Sequence, residues 1–320
     1  MLPRPPRRAA RPPSRPDRSL VRRGPRSLAG RAECWLALAV MCWLPPLAHA
    51  QKGYQPPPNY AQFGKPDQVQ GREILEQFRR QGIAGDYYLE FELRVLPRQG
   101  AERVLRGRLW GSRNADGPIS RVSVRPPEAG ATPEVRLLVQ SGASPALWRW
   151  NEGSGGAAES TDVAALFEPV AGTDLTPFDL QMPFLYWPEF VYEGLARMRG
   201  RPAHQFLLYP PAAVAERHPA LRGIRAYLDT QYTALVQAEF IGGEGRPLKV
   251  LSVLDLKKIG DQWIVKSIDL RDEATRNKTR FVVTAAALHQ QFAPQIFDPV
   301  HLVDPAAVPA GAELVTVTAP

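Results

Sequence analysis

Residues 248–284 read LKVLSVLDLKKIGDQWIVKSIDLRDEATRNKTRFVVT, and this stretch decides the fold. Three apolar, β-branched segments follow one another, joined by short polar connections at residues 258–261 and 272–277. Such connections are typical of hairpins, so the stretch predicts three successive antiparallel strands. It contains no catalytic motif. The stretch therefore predicts a sheet that presents a surface, and the question is what that surface binds.

Further strand patterns extend the predicted sheet. In residues 86–96 apolar side chains alternate with charged ones, which is typical of a half-buried strand. Residues 69–81 predict an amphipathic helix that ends at Gly82. Other predicted strands are 104–110, 119–124, 135–140, 146–150, 190–198, 204–209, 224–229 and 235–241. Because no helix long enough for a crossover separates the early strands, the pattern favours a mainly β (α+β) fold with an antiparallel sheet.

The net charge of +8 lies entirely in the first 50 residues, where ten arginines stand against Asp17 and Glu33. Residues 51–320 carry 30 basic and 30 acidic side chains, so we expect no nucleic-acid partner. The basic run leads into a 14-residue apolar segment, 34–47, and then to Ala48-His49-Ala50. This pattern predicts a signal peptide cleaved after Ala50 and a periplasmic product with no transmembrane segment. An uncleaved anchor and a downstream start codon are the alternatives.

The predicted domain organisation follows from composition. Residues 1–50 form the signal peptide, and residues 51–67 form a Pro/Gln-rich linker. Residues 68–291 form one domain, and residues 292–320 form an extended C-terminal tail, for which docking and mobility both remain open. Both cysteines lie inside the predicted leader, so the secreted chain has no disulfide and no thiolate nucleophile.

The middle of the chain contains a broken apolar segment, LTPFDLQMPFLYWP at residues 175–188. Its three prolines prevent a long helix, and most of its other side chains are large and apolar. Such a segment either plugs the open side of a sheet or lies over a ligand. We refer to residues 175–187 as the lid.

Three stretches of the sequence, residues 171–187, 190–210 and 224–283, resemble the outer-membrane lipoprotein-sorting family, which is LolA-like. Single positions that carry the resemblance are Lys249, Gly260, Trp263, Asp269 and Thr279. The resemblance implies an incomplete β-barrel, in which a strongly curved antiparallel sheet has an apolar concave face capped by short helices. In that family the cavity is taken to bind acyl chains or another hydrophobic ligand. A large apolar face must be covered or filled, which agrees with this implication.

Ten apolar side chains are predicted to line such a cavity. The lid contributes Phe178, Leu180, Met182, Phe184 and Leu185, and the sheet contributes Phe91, Leu93, Tyr192, Val236 and Phe240. Residues 248–284 would form the back wall, because the centre of their first strand is apolar on both faces. The alternative is that all of these side chains form a closed, dry core.

No motif in the sequence predicts catalysis. The histidines after residue 50 have no ligand-like spacing, so no metal site is expected. Residues 142–146 fail the GxSxG pattern, and the Gly-rich residues 242–245 are typical of a hairpin. Acidic residues at 269–273 stand among basic ones and predict an ion-paired turn. We expect neither a catalytic residue nor a cofactor.

Two functions remain in view. The first is a non-enzymatic periplasmic carrier that binds the acyl chains of a lipidated protein, or a lipid, in outer-membrane lipoprotein sorting; an envelope transport or regulatory protein is then a further possible partner. The second is a structural or regulatory interaction module of the envelope, in which the lid permanently fills the apolar core.

Overall fold

The strands that the sequence predicts join into one antiparallel sheet in the computed structural model, which describes residues 65–125, 134–153 and 156–317. The predicted leader and nearly all of the predicted linker lie outside these residues. The helices and strands are α1 Gln68–Arg80, β1 Asp86–Leu96, β2 Arg103–Asn114, β3 Gly117–Arg125, β4 Val135–Gln140, β5 Ala146–Asn151, β6 Glu159–Ser160, α2 Pro177–Gln181, β7 Phe190–Met198, β8 Arg201–Leu208, α3 Ala212–Arg217, β9 Gly223–Asp229, β10 Leu235–Ile241, β11 Pro247–Ile259, β12 Gln262–Asp272, β13 Lys278–Gln290 and β14 Val315–Thr316.

The order of the strands explains how the chain builds the sheet. It runs β6-β5-β4-β3-β2-β1-β13-β12-β11-β10-β9-β8-β7, and β14 adds to β13. The chain starts at the centre, builds outward to β6, crosses to the far edge, and returns from β7 to the centre. The two halves meet where β1 pairs with β13. In this order β6 and β7 are the two ends, so the sheet is open rather than closed into a barrel.

Alternation along the strands gives the sheet two different faces. On β1 the buried side chains of Phe91 and Leu93 lie on what we call the inner face, and Glu90, Glu92 and Arg94 point the other way, to the outer face. The main core forms on the inner face and takes side chains from both halves of the sheet and from the lid. The predicted fold class, a mainly β open sheet with few short helices, is therefore confirmed.

Residues 296–307 of the C-terminal tail dock on the outer face, and β14 further along the tail pairs with β13 within the sheet. Arg121 of β3 is only 2% exposed, and its guanidinium donates to the backbone carbonyls of Ile296, His301, Leu302 and Asp304. A second arginine, Arg136 of β4, donates to the backbone carbonyls of Leu302 and Val303. The indole N–H of Trp110 on β2 donates to the backbone carbonyl of Ala307. Docking and mobility were both open from the sequence, and the structure shows contacts to the sheet for residues 296–307 and 315–316.

None of the helices within the described ranges is long and apolar enough to span a membrane.

Candidate functional site

The lid lies across the inner face as two short helical turns. Helix α2 begins with a capping box, in which Thr176 accepts a hydrogen bond from the backbone N–H of Asp179 and the Asp179 carboxylate accepts one from the backbone of Thr176. Pro177 occupies the first helical position, where proline fits without loss of a hydrogen bond. Met182 then adopts a left-handed conformation at φ 47°, and a 3-10 turn follows at Pro183–Tyr186. The prolines and this bend give the lid its broken shape.

Aromatic rings of the lid fill the centre of the inner face. Phe178 and Phe184 are fully buried, and their ring centroids lie 6.1 Å apart. Both contact Phe240 of β10, at centroid distances of 5.7 and 6.3 Å, so the lid reaches the second half of the sheet. Trp187 packs against the same two lid rings. The lid and the sheet therefore share one continuous aromatic core.

The first part of the lid is anchored to the two central strands β11 and β13. Lys249 of β11 forms an ion pair with the carboxylate of Asp179 and donates 2.6 Å to the backbone carbonyl of Asp174. Thr279 of β13 is fully buried and donates 2.8 Å to the carboxylate of Asp174, whose N–H donates back to it. Lys249 and Thr279 are two of the positions that carry the family resemblance. Their side chains hold the lid to the sheet.

The rest of the lid has two further polar attachments. Arg79 of α1 donates 2.6 Å to the carbonyl of Leu185 and stacks on the ring of Tyr186. Burial lowers the pKa of Arg79, although Tyr186 and Glu76 act in the opposite direction. On the other half of the sheet, the amide of Gln181 donates to the carbonyls of Gln140 and Ala146, which belong to β4 and β5. Helix α1 and the strands on either side thus hold the lid closed.

Two buried acceptors of the lid have no hydrogen-bond donor among the described residues. They are Oδ1 of Asp179 and Oε1 of Gln181, on side chains that are each only 2% exposed. A buried acceptor without a donor costs about 1–3 kcal/mol, because it loses its hydrogen bonds to water. The closed lid therefore carries an energetic penalty that opening would relieve.

Nine of the ten predicted cavity residues lie in the inner-face core. Phe91, Leu93, Tyr192 and Phe240 of the sheet are buried there, as are three of the lid residues, and Leu180 and Met182 pack against it half-buried. Whether these side chains bind a ligand stays a prediction.

The tenth residue, Val236, lies on the outer face instead. It packs against a separate cluster that includes Met198 and Tyr227. The physical reason is a register shift between Leu235 and Gln237, where β10 pairs with β9. Such a bulge inserts one residue and reverses the alternation. Simple alternation from Phe240, which places Val236 inside, is therefore wrong at this position.

Two hollows border the lid. One, of about 330 Å³, lies between the lid and the edge of β5, and its lining includes Leu147, Leu166, Tyr186, Trp187 and Val214. The other, of about 360 Å³, lies at the Lys249 anchor, and its lining includes Phe167, His218, Leu221 and Phe240. These volumes fall at the lower end of the range typical of small-molecule sites. Movement of the lid would enlarge the space next to it.

Sequence reasoning identified the apolar residues and missed the polar ones that position the lid. The order Thr176-Pro177-Phe178-Asp179 was the available signal, since it has the spacing of a capping box. In the sequence, Lys249 was identified only as one of the positions that carry the family resemblance. No local signal marks Arg79 or Gln181, because their partners are backbone carbonyls distant in sequence. In the described ranges, no group of three or more His, Cys, Asp or Glu side chains could hold a metal ion.

The geometry defines a class of protein, an open antiparallel sheet whose apolar inner face is covered by a lid, and solved structures share it. One is described as an outer membrane lipoprotein-sorting protein domain from Vibrio parahaemolyticus, with a TM-score of 0.64, 16% identity, and coverage of 74% of this chain and 99% of that chain. Another is a DUF1329 family protein from Desulfovibrio piger, with a TM-score of 0.61, 12% identity, and coverage of 72% and 96%. A LolA superfamily protein from Nitrosomonas europaea has a TM-score of 0.52, 15% identity, and coverage of 71% and 96%.

The chain therefore has a LolA-like fold, and the resemblance seen in the sequence is confirmed at the level of the fold. A protein-family model described as "uncharacterized protein" matches residues 167–304, which include the lid, strands β7 to β13 and the start of the tail. A search of curated proteins found no match.

Proposed function

We propose that this protein is a non-enzymatic binding protein of the periplasm that holds lipoprotein acyl chains, or another hydrophobic ligand, against the inner face of its sheet. The ligand enters when the lid moves away. In this proposal the protein serves outer-membrane lipoprotein sorting, and its partner is a lipidated protein or a lipid.

The observation that carries the proposal is the construction of the lid. Its apolar side chains seal the inner face, whereas its ends are attached by a few polar contacts to α1, β4, β5, β11 and β13. Two of its buried acceptors lack donors, which is half of the four buried side-chain polar atoms without a hydrogen-bond partner among the described residues. An ordinary core segment is expected to satisfy such groups. A segment that must open instead benefits from a closed state that is not too stable.

The free energy gained by burying an acyl chain is comparable with the free energy needed to displace the lid. Each buried methylene contributes about 0.8 kcal/mol, so one long acyl chain supplies ~10 kcal/mol before the costs of association. Displacing the lid exposes several aromatic side chains, each worth roughly 1.5–3 kcal/mol of burial, and relieves two unsatisfied acceptors. A bound acyl chain therefore offsets much of the cost of opening.

The test is binding of a fluorescent fatty acid together with mass spectrometry of lipids extracted from natively purified protein. We expect Phe184→Asp to abolish binding, because it places a carboxylate at the centre of the inner face. Leu180→Asp, at a half-buried lid position, tests the same idea with less risk to folding. Val300→Asp is the control, since Val300 is 71% exposed on the tail. Equal binding by folded lid variants and by the parent would remove these residues from the site.

One observation favours the alternative, an envelope interaction module with a lid-filled core. Phe178 and Phe184 are 0% exposed and pack directly on Phe240, so the lid side chains already fill the centre of the inner face. If this alternative holds, native protein carries no acyl species and does not bind the fluorescent fatty acid. The same two measurements thus separate the two functions.

A further inference from the structure

An exposed aromatic and apolar surface lies on the outer face, at the distal end of the β11–β12 hairpin. Trp263 is 56% exposed, Tyr232 is 50% exposed and Leu256 is 40% exposed. Leu256 and Tyr232 border a common hollow of about 200 Å³, together with Val236 and Leu254. We call these five side chains the hairpin patch.

The register of the hairpin places the patch on one face. Lys258 pairs with Trp263 and Leu256 pairs with Val265, so these four side chains point the same way. Between them, Ile264 points to the opposite side and is buried in the inner-face core. Trp263 and Leu256 therefore cannot turn into the core without breaking the pairing of β11 with β12. The pairing of the two strands thus keeps both side chains exposed.

Basic side chains outnumber acidic ones around the patch. Lys258 points to the same face as Trp263, Lys266 lies on β12, and Arg199 and Arg201 line the hollow, whereas Lys257 pairs with Ile264 and points to the other face. Of the acids in this region, Asp229 is ion-paired with Arg201, whereas Asp255 and Asp261 are hydrogen-bonded to Ser267 and His289 and keep their negative charge. These four cations stand against three carboxylates, so this end of the molecule has a small local excess of positive charge.

We propose that the hairpin patch docks the protein on an anionic membrane surface. Trp and Tyr side chains favour the interface between lipid and water, and nearby Lys and Arg side chains bind acidic headgroups. Three exposed apolar side chains are far fewer than the roughly 20–30 residues that each side of a standard protein interface contributes, which argues against a stable protein partner. The inference rests on the proposed function, because a lipid-binding protein must approach the bilayer from which it takes its ligand or to which it delivers it.

The experiment is co-sedimentation with vesicles of phosphatidylcholine alone and of phosphatidylcholine containing phosphatidylglycerol. The protein used lacks the predicted leader up to Ala50. We expect binding to the anionic vesicles and about fivefold weaker binding for each hairpin cation removed at low salt, as in Lys258→Gln. Trp263→Ser and Leu256→Asp should each reduce binding at least tenfold. Val300→Asp, exposed on the tail, should bind like the parent.

The tryptophan supplies an independent signal. Residues 51–320 contain five tryptophans, so the emission of the parent is compared with that of Trp263→Ser at saturating vesicle concentration. The shift to shorter wavelength should occur in the parent and be absent in Trp263→Ser, because only the Trp263 indole leaves water for the headgroup region. Absence of binding to anionic vesicles, equal binding to both kinds of vesicle, or equal loss in the patch variants and the Val300→Asp control would each overturn the proposal. Fatty-acid binding separates the two claims. A parent protein that does not bind the fatty acid contradicts the proposed function, whereas vesicle binding by the parent and the patch variants tests the hairpin patch alone.

Discussion

Replacement of Lys249 by methionine should release the lid. Lys249 forms the ion pair with Asp179, whose side chain is only 2% exposed. Removal of the ammonium leaves a buried carboxylate whose Oδ1 already has no donor and whose Oδ2 keeps only the bonds from Thr176. Breaking a buried pair on one side costs about 3–5 kcal/mol. The lid can avoid this cost by opening, which hydrates the carboxylate.

The expected magnitude follows from this cost. Lys249 is itself 14% exposed at its side chain, so we take the lower value of about 3 kcal/mol. At 1.36 kcal/mol per factor of ten, this raises the equilibrium constant for lid opening by roughly a hundredfold. Ligand affinity rises by the same factor until the open lid predominates, because only the open form is competent to bind.

Two measurements read the effect. Limited proteolysis within residues 176–187 reports lid opening, and titration with a fluorescent fatty acid reports affinity. Lys257→Met is the matched control, since Lys257 is exposed on the same strand. The double variant Lys249→Met/Asp179→Leu leaves no buried unpaired charge and loses a helix cap, worth about 1 kcal/mol, and the Lys249 bond to the Asp174 carbonyl, which the single variant also loses, so its lid should open less than that of the single variant. Unchanged proteolysis and unchanged affinity in Lys249→Met would refute the reasoning.

Three further predictions concern the rest of the fold. Burial alone would raise the pKa of Glu134, but hydrogen bonds from Arg136, Ser123 and Arg125 outweigh burial and lower the pKa to about 2. Up to about 3 kcal/mol of folding stability, present above pH ~4.5, is therefore lost as the pH falls toward 2. Chemical denaturation of Glu134→Gln should lack this pH dependence. Arg121→Met should free the tail to proteases after residue 292, whereas Arg106→Met, an exposed arginine on the neighbouring strand, should not. Gly107→Ala places a methyl group 2.1 Å from the ring of Phe91 and should cost about 1–3 kcal/mol in chemical denaturation, whereas Gly243→Ala, with open space around it, should cost less.

The local pattern of side chains was sufficient to predict where the strands of the sheet lie in the sequence. The alternation of residues 86–96 and the hairpin spacing of residues 248–284 are set by side chains within each segment, and the strands form where predicted. Burial of the apolar lid residues also follows from composition. The failure at Val236 has a different origin, because a bulge depends on how two strands pair rather than on either strand alone.

The polar part of the site was beyond sequence reasoning for a related cause. Arg79, Gln181 and Arg121 all donate to backbone carbonyls that lie far away in the chain, and a carbonyl carries no residue identity. Nothing in the sequence therefore records these contacts. The bonds from buried Arg121 to backbone carbonyls also explain how a Pro- and Ala-rich tail, which has few large side chains, can still dock.

The stretch that decides the fold also controls the candidate site. Lys249 of β11 and Thr279 of β13 lie on the two strands that flank β12 near the centre of the sheet, and together they fix residues 174–179. Both side chains make bonds that include a charged group, the Lys249 ammonium or the Asp174 carboxylate, and charge-assisted bonds are the stronger kind. The bonds of Gln181 to β4 and β5 are between neutral groups and are weaker. Opening should therefore begin at the β4–β5 side, beside the 330 Å³ hollow, while the central strands keep the lid attached to the protein.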